Sequence, residues 1–387
     1  MEEQARLDRA WRTLYRLMHG YLHRRFALTS ERCDVEGPCI VIPNHVTNWD
    51  PFLVAMSFPD KPLSYVASEH IFRLPVASRL IRWLLDPIAR RKGDTGADAV
   101  KEILRRLKQG RSVCLFAEGD CTWDGLTGPI FPATGKLVRA SGATLVTYRL
   151  EGGYFTWPRW GRGIRRGQLR GHPVGVYSPQ ELRNMKGPEI TSLIQRDIGE
   201  DAWARQAENQ VLYRGKRPAE QLETALFLCP GCRRIGTLAS RGDTLRCSSC
   251  GREETFGPDG RFRPGEPFAT MAQWDLWQHR ELAAGRFDHG EELFSDPVTS
   301  FRQVLSGHRT KKLTGGRLSV RNGCLRCGAQ IFPLAEIDSM AMVKRRILLF
   351  TVGRDYYELR CAEGCNLRKY LAVWNDSAKA AADNKEA

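Results

Sequence analysis

The sequence predicts an α/β protein in which a mixed sheet is flanked by helices, followed by a cysteine-rich segment and a small, mainly-β domain. Three observations predict this arrangement. Strand-like apolar runs alternate with helical patterns between residues 38 and 150, cysteines pair closely after residue 226, and short alternating runs follow residue 299. Alternating strands and helices are typical of a layered α/β fold with a largely parallel sheet.

Length and charge narrow the classes of function. The 387 residues are enough for two or three domains, and 42% hydrophobic residues exclude a largely disordered chain. The net charge of +15 favours anionic partners: nucleic acid, an anionic membrane surface or phosphorylated substrates. The sequence contains no apolar run of about 18 residues, the length that would predict a transmembrane helix, and no recognisable secretory signal. We therefore expect a cytoplasmic protein.

Residues 1–30 predict an amphipathic N-terminal helix. An apolar stripe recurs at helical spacing, while arginines occupy the other faces; the stripe consists of Leu7, Trp11, Leu14, Met18 and Leu22. Two placements fit this pattern equally well. The helix packs on its own domain, or it lies in a membrane interface.

Residues 31–205 predict the α/β domain. Its strand-like runs are "CIVI", "LSYVAS", "SVCLF" and "TLVTYRL". Helical stretches separate them, and one of these, "ADAVKEILRRLKQG", has Gly110 as its stop.

A polar patch interrupts the apolar run "PCIVIPNHVTNWDPFLVAM" and places His45 five residues before Asp50. One interpretation is a helix start, with Asp50 as N-cap and Pro51 at the first helical position. The other is a catalytic pair at the carboxyl end of a strand, in which the carboxylate orients the imidazole as a general base. The spacing alone leaves both interpretations open.

Downstream motifs favour the catalytic interpretation. "PIARRKGD" places Arg90 and Arg91 after an apolar segment, and "SVCLFAEGDCTWDG" ends a strand in Glu118 and Gly119. With "NHVTNWD" and "PATGKLVRASGATLV", this order resembles the glycerolphosphate acyltransferase family, which includes the 1-acyl-glycerol-3-phosphate acyltransferases. The resemblance covers roughly residues 20–200. The matching positions are Asn44, His45 and Asp50 in the first motif, Arg90 in the second, and Phe116, Glu118 and Gly119 in the third.

The resemblance implies a peripheral membrane O-acyltransferase of phospholipid biosynthesis on the inner face of the membrane. It would move a fatty acyl group from acyl-CoA or an acyl carrier protein to a hydroxyl of a lysophospholipid such as 1-acyl-glycerol-3-phosphate. His45 would be the general base and Asp50 would orient it. The implied substrate-binding residues are Asn44, Arg90, Arg91, Glu118, Gly119 and Lys136.

The third motif departs from the family at Ala117, Asp120 and Cys121. In the family an arginine stands at the position of Cys121 and is thought to hold the acceptor's phosphate, which a cysteine cannot do by bidentate contact. Either Arg90, Arg91 or Lys136 compensates, or the acceptor is not an ordinary lysophosphatidate. A second class of function stays open: a catalytically inert regulator that binds nucleic acid or protein. Because the motif residues are retained, we expect the enzyme and do not expect nucleic acid as a partner.

Two closely spaced cysteine pairs, "CPGC" and "CSSC", lie within residues 226–262. Two Cys-x-x-Cys knuckles at this separation resemble a zinc ribbon, whose four thiolates suit a structural Zn²⁺ without an open coordination position. The predicted ligands are Cys229, Cys232, Cys247 and Cys250. A linker over 206–225 precedes this ribbon and a helical connector over 263–298 follows it.

Residues 299–376 predict a β domain that resembles pleckstrin-homology or GRAM folds and closes with a helix. Asn322-Gly323 is a hairpin signal between alternating runs. A second cysteine quartet leaves a second metal site open: Cys324, Cys327, Cys361 and Cys365. Residues 377–387 are expected to be a disordered tail.

Residues 155–172, here called the Trp–Arg segment, carry five arginines and no acidic residue. Three interpretations fit this composition. The segment is a membrane-interface loop, a nucleic-acid contact or a solvated hairpin tip.

Overall fold

A computed structural model of the protein describes residues 2–68, 87–90, 96–285, 293–305 and 309–386, with side chains between residues 9 and 377. The chain divides into two compact units. Of the described residues, the first unit contains those up to Arg159 and Gly163–Gly215, and the second contains Trp160–Arg162 and those from Lys216 onward. Each unit has its own sheets.

The first unit is built on a seven-stranded mixed sheet of order β1-β7-β6-β2-β5-β3-β4. Only the β6–β7 pair is antiparallel. The mixed sheet predicted for this part of the chain is confirmed. Its strands are β1 (Leu28–Ser30), β2 (Cys39–Pro43), β3 (Leu63–Ser68), β4 (Ile88–Arg90), β5 (Ser112–Cys114), β6 (Thr144–Glu151) and β7 (Leu169–Tyr177).

Helices cover both faces of this sheet. The described helices are α1 (Glu2–Phe26), α2 (Asp50–Ala55), α3 (Ala97–Lys108), α4 (Thr134–Ser141), α5 (Gly153–Thr156), α6 (Pro179–Arg183), α7 (Gly187–Ile198) and α8 (Ala202–Asn209). Residues of β2 alternate between the two faces. Cys39 and Val41 pack with α1 and α2, whereas Ile40 and Ile42 pack with α3, α4 and α7. A strand buried on both faces needs the continuous apolar run seen in the sequence.

Helix α1 packs on its own unit. Trp11, Leu22 and Phe26 are buried, and Leu14 and Met18 lie against the same core. The indole nitrogen of Trp11 also donates to the carbonyl of Phe58 at 3.1 Å. Of the two placements that the stripe allowed, the structure has the packed one, so these side chains are not free to enter a membrane.

The second unit begins with a four-stranded antiparallel sheet of order β11-β10-β9-β8. Its strands are β8 (Leu238–Arg241), β9 (Thr244–Cys247), β10 (Glu253–Phe256) and β11 (Phe262–Arg263). Helix α9 (Met271–Ala283) follows and packs on the segment before β8. There the indole nitrogen of Trp274 donates to the carbonyl of Leu228 at 2.9 Å.

An eight-stranded antiparallel sheet completes the second unit, with β13 paired to β12 beside the order β16-β15-β14-β12-β19-β18-β17. Its strands are β12 (Phe294–Val304), β13 (Thr310–Lys312), β14 (Arg317–Arg321), β15 (Cys324–Cys327), β16 (Gln330–Pro333), β17 (Ser339–Val343), β18 (Ile347–Val352) and β19 (Asp355–Cys361). The predicted hairpin is confirmed: Arg321 pairs with Cys324, and Asn322 and Gly323 both have positive φ. Positive φ at both central residues is what a type I′ turn requires.

Two predicted irregular segments are structured. Residues 206–225, expected to be a linker, contain the end of α8 and a stretch from Ala219 to Ala225 with Ala219, Leu222 and Ala225 fully buried. Residues 377–386, expected to be a tail, belong to α10 (Arg368–Glu386), because alanine and lysine favour a helix once α10 has begun. Residues 286–292 of the predicted helical connector lie outside the described residues.

Candidate active site

The loop that follows β2 is held in place by Asn44. This residue is fully buried, its Nδ2 donates to the carbonyl of Leu150 at 3.0 Å, and its Oδ1 accepts from the Leu150 amide at 2.7 Å. The side chain thus continues the β2–β6 pairing beyond Pro43. Both polar atoms of Asn44 are engaged with backbone, so it positions the loop; a direct contact of Asn44 with substrate, as predicted, is not supported by its burial.

His45 and Asp50 meet on this loop. The Nδ1 atom of His45 lies 2.8 Å from Oδ2 of Asp50, and the imidazole is 18% exposed while the carboxylate is fully buried. The loop lies at the carboxyl edge of the parallel strands, where α/β folds place their ligands. The loop thereby combines an imidazole that solvent can reach with a carboxylate that solvent cannot reach.

The carboxylate of Asp50 organises the loop rather than the helix end. It accepts from the amide of Val46 at 2.6 Å and from the amide and hydroxyl of Thr47 at 2.9 and 2.6 Å. The N-cap of α2 is Trp49, which makes no side-chain cap, and Asp50 is the first helical residue. The capping interpretation of Asp50 is therefore wrong, because its oxygens face the loop that precedes the helix.

Glu118 connects two loops at the site. Its Oε1 accepts from the His45 amide at 2.6 Å and its Oε2 from the Gly128 amide at 2.8 Å. Burial raises the pKa of Glu118 to about 7, although both amide hydrogen bonds act in the opposite direction.

Gly119 is required by the backbone after Glu118. Its φ is +76°, and a Cβ at this position would lie 2.8 Å from the ring of Phe131. Any other residue would meet both a strained backbone and an aromatic ring. The structure supports a conformational role for Gly119 within the third motif.

Phe116 and Cys121 enclose the imidazole. The Phe116 ring stacks on His45 with centroids 4.2 Å apart, and Sγ of Cys121 lies 3.4 Å from Nε2 and 3.5 Å from Nδ1. Burial by itself lowers the pKa of His45, but the Cys121 sulfur and the Asp50 carboxylate outweigh it. The pKa of His45 consequently lies well above its usual value.

Arg159 is the site-forming residue that the sequence did not identify. Its guanidinium is nearly buried, binds the Asp120 carboxylate at 2.5 Å, donates to the Cys121 carbonyl at 3.1 Å and stacks on Trp123 at 4.4 Å. The surrounding "TWPRWGR" marks an unusual segment, but nothing in the sequence pairs it with Asp120. A guanidinium therefore lies beside Cys121 and is already bound to a carboxylate.

The other predicted basic residues lie at different places. Arg90 ends β4, and its guanidinium lies 4.4 Å from the centroid of the Phe131 ring. The Phe131 ring in turn lies next to Gly119. Lys136 is exposed in the first turn of α4, with its stem against Gly187. Arg91 lies outside the described residues. The structure thus brings Arg90 towards the third motif.

The Trp–Arg segment is mostly engaged within the protein. Trp160 is fully buried, and Arg165 is buried enough that its pKa falls to about 10. Arg162 pairs with Glu220, and Arg170 pairs with Glu31. The structure therefore does not show a membrane-interface loop whose arginines all extend into solvent.

A cavity of about 290 Å³ opens elsewhere in the first unit. Its lining includes Arg170, Arg205 and Glu151, which pair with acidic or basic neighbours. None of the residues assigned above to the active site lines this cavity, so it is a separate feature.

The second unit contains a group of four cysteines that fits a metal. The sulfur atoms all lie within 4.8 Å of one another, and those of Cys229 and Cys250, and of Cys232 and Cys247, are 3.7 Å apart. A tetrahedral Zn²⁺ with bonds of about 2.3 Å separates its sulfur ligands by about 3.8 Å. In the part of the chain that the structure describes, the second quartet, Cys324, Cys327, Cys361 and Cys365, does not form such a group.

None of the helices described is long and apolar enough to cross a membrane.

Comparison with known proteins finds one family model that covers the residues of this site. Residues 24–151 match the model of the family described as Acyltransferase. This range contains the loop with His45 and Asp50 and the turn with Glu118. Among solved structures, the chain is similar to the crystal structure of the 1-acyl-sn-glycerophosphate (LPA) acyltransferase, PlsC, from Thermotoga maritima. The two are 17% identical, with a TM-score of 0.41 over 51% of this chain and 81% of that chain.

Proposed function

We propose that the protein moves a fatty acyl group from a thioester to a hydroxyl of a lysophospholipid, because residues 24–151 match the acyltransferase family model. The donor is acyl-CoA or an acyl carrier protein, and the acceptor is of the 1-acyl-glycerol-3-phosphate type. The observation that carries this proposal is the partly exposed His45 held by the buried Asp50 at 2.8 Å.

His45 acts as the general base in its neutral form. Asp50 accepts the hydrogen on Nδ1, which leaves Nε2 to take the proton of the acceptor hydroxyl as the oxygen attacks the acyl carbon. The same proton then passes to the departing thiolate of the donor. A positioned base supplies roughly 10²–10⁴ in rate, and orientation of the two substrates adds to this.

The acceptor's phosphate is assigned to Arg90. Arg159 is bound to the Asp120 carboxylate, so this pair has no net charge with which to attract a phosphate. Arg90 ends β4 with its guanidinium against the Phe131 ring, and that ring lies next to Gly119; a planar guanidinium suits phosphate. Arg91 and Lys136 are expected to assist, as the sequence predicts.

Binding to an anionic membrane, on its inner face, is assigned to the outer side of α1. Leu17 and Tyr21 are 73% and 53% exposed there, and Arg16, Arg24 and Arg25 are exposed near them. Each basic side chain close to an anionic surface contributes about 1 kcal/mol. The net charge of +15 acts in the same direction.

The four-cysteine group is proposed to hold one structural Zn²⁺. Four thiolates complete a tetrahedral site and leave no position for a substrate. Cys229, Cys232, Cys247 and Cys250 would then stabilise the β8–β11 sheet, and no catalytic step passes through the metal.

An acyl-transfer assay tests the proposal. The purified full chain is given a palmitoyl thioester, as palmitoyl-CoA or as palmitoylated carrier protein, with 1-palmitoyl-glycerol-3-phosphate or with monopalmitoylglycerol, which lacks the phosphate. We expect diacyl product from the phosphorylated acceptor. Arg90→Gln should raise the KM for that acceptor roughly 10- to 100-fold, the equivalent of a lost charge-assisted hydrogen bond, with little effect on monopalmitoylglycerol.

Arg139, exposed on α4, offers a matched control, and Arg139→Gln should leave the KM unchanged. Absence of product with every lysophospholipid and both donors would refute the proposed function. An unchanged KM in Arg90→Gln would refute only the assignment of the phosphate to Arg90.

A further inference from the structure

Cys121, His45 and Asp50 are arranged as a nucleophile, a base and an orienting carboxylate. Sγ of Cys121 lies 3.4 Å from Nε2 of His45, whose Nδ1 lies 2.8 Å from Asp50. A thiol next to an imidazole that is itself held by a carboxylate is the arrangement from which covalent acyl transfer proceeds. The base of the proposed reaction is therefore already in contact with a second nucleophile, one that belongs to the protein.

The backbone fixes Cys121 against the imidazole. The amide of Thr122 donates to the carbonyl of His45 at 2.9 Å, and Arg159 donates to the carbonyl of Cys121 at 3.1 Å. Phe116 stacks on the imidazole ring and limits its rotation. The contact between sulfur and imidazole thus follows from three separate anchors.

Cys121 differs from the other cysteines described in the first unit. Cys33, Cys39 and Cys114 lie in the apolar core, and burial raises the pKa of each thiol. Such thiols are poor nucleophiles because the thiolate is the reactive form. Cys121, in contrast, lies outside that core group, and its Sγ is 3.4 Å from Nε2 of His45.

We propose that Cys121 is the first acceptor of the acyl group, so that transfer to the lysophospholipid passes through an acyl-Cys121 thioester. This inference rests on the proposed function and adds a step to it. It assigns a catalytic role to Cys121, at the position where the glycerolphosphate acyltransferase family, which this sequence resembles, has an arginine.

The first half-reaction exchanges one thioester for another. The Cys121 thiol gives its proton to Nε2 of His45, and the thiolate forms a bond to the acyl carbon of the donor. The bond between that carbon and the donor sulfur breaks, and the leaving thiolate takes the proton from His45. One thioester and one thiol are consumed and one of each is formed, so no oxidant or further reactant is needed.

The second half-reaction forms the ester. The acceptor hydroxyl gives its proton to His45 as its oxygen bonds to the acyl carbon, and the bond to Cys121 Sγ breaks. The Cys121 thiolate recovers the proton from His45. His45 serves both half-reactions, because in each it takes a proton from the incoming nucleophile and returns it to the departing sulfur.

The experiment captures the acyl-enzyme. The full chain is mixed with palmitoyl-CoA without acceptor and quenched in acid. The mass of the intact protein is measured by mass spectrometry, and the modified peptide is then identified after proteolysis. We expect one palmitoyl group on the peptide that contains Cys121, removable by neutral hydroxylamine as a thioester is. Added 1-palmitoyl-glycerol-3-phosphate should discharge it, and initial rates should follow ping-pong kinetics.

Two substitutions at the same position keep the test decisive. Cys121→Ala should form no adduct and lose roughly tenfold or more in kcat, since only direct transfer remains. Cys121→Ser, nearly isosteric with the parent, should at most form an oxygen ester resistant to neutral hydroxylamine. Cys324→Ser, a half-buried cysteine of the second unit, is the matched control and should behave as the parent.

Failure of the inference and failure of the proposed function give different results. A parent that acylates lysophospholipid, combined with a Cys121→Ala variant of equal kcat and no adduct on the parent, would overturn the inference alone. An adduct at Cys121 without acylation of any lysophospholipid would support the inference and overturn the proposed acceptor.

Discussion

His45 and Asp50 lie five residues apart on one loop and meet through Nδ1 and Oδ2 at 2.8 Å, the pairing that the motif resemblance implies. The contact of Cys121 with His45 spans 76 residues, and it depends on how the turn after β5 lies against the loop after β2. Arg159 is further still along the chain and reaches Asp120 from the Trp–Arg segment. Local pairs can be predicted from motif spacing, whereas these two contacts depend on sheet order, which motif spacing does not specify.

Glu118 leads to a prediction about stability and pH. Its folded-state pKa of about 7 is above the value of 4.5 expected when unfolded. Its contribution to stability is therefore fully present below about pH 4.5 and is lost as pH rises through about 7. His45 and Asp50 are the charged groups that act on it, and they are unchanged in a Glu118→Gln variant.

The measurement compares the parent with Glu118→Gln at pH 5 and pH 8, following hydrogen exchange of first-unit amides. The stability of the parent relative to the variant should fall from pH 5 to pH 8. If the difference in stability between the parent and Glu118→Gln were the same at pH 5 and pH 8, the raised pKa of Glu118 would be contradicted.

At the scale of elements, helix α1 illustrates what an amphipathic pattern can and cannot decide. The stripe around Trp11 and Leu22 correctly predicts a helix with one buried face. It does not say whether protein or lipid covers that face, because both need the same spacing of apolar residues. The Asn322-Gly323 hairpin was predictable in more detail, since few residues other than glycine and asparagine adopt the positive φ of its turn.

The outer side of α1 leads to a prediction about membrane binding. Replacing both Leu17 and Tyr21 with Gln should reduce binding to anionic phosphatidylglycerol vesicles, because burying one leucine-sized side chain stabilises binding by about 1.5–3 kcal/mol. Val176 is 51% exposed on β7 and offers a matched control, Val176→Gln. Vesicle co-sedimentation at low salt measures the effect; equal binding of parent and double variant would remove α1 from the membrane contact.

At the scale of the whole molecule, the sequence predicts several small domains after residue 205. In the structure these segments pack against one another within the second unit. Phe227, just before the first cysteine knuckle, is buried, and its amide donates to Gln278 of α9 at 2.8 Å. Arg368, at the start of α10, binds Asp275 of α9 with both terminal nitrogens of its guanidinium. Polar composition suggested a linker before the ribbon, but composition averaged over twenty residues hides the few apolar ones that enter a core.

The cysteine group leads to a prediction that separates the two units. We expect one Zn²⁺ per chain, which Cys247→Ser loses and Cys324→Ser retains. Structural zinc can contribute about 10 kcal/mol or more to folding, so Cys247→Ser should lower the thermal stability of the second unit markedly. The rate of acyl transfer should fall less than the thermal stability of the second unit, because His45 and Asp50 lie in the first unit.

Metal analysis and thermal unfolding of these two variants provide the measurement. A zinc content near zero in the parent, prepared without chelator and with reduced thiols, would contradict the assignment of the metal.

The central claim is that His45, oriented by Asp50, is the base for acyl transfer, and the most direct measurement is the kcat of His45→Ala with palmitoyl-CoA and 1-palmitoyl-glycerol-3-phosphate. His172→Ala is the matched control, because His172 also contacts a carboxylate, Glu151 at 3.0 Å, and is similarly exposed. We predict that His45→Ala loses roughly 10²–10⁴ in kcat while His172→Ala stays close to the parent. Equal rates for the parent and a folded His45→Ala variant would contradict the account.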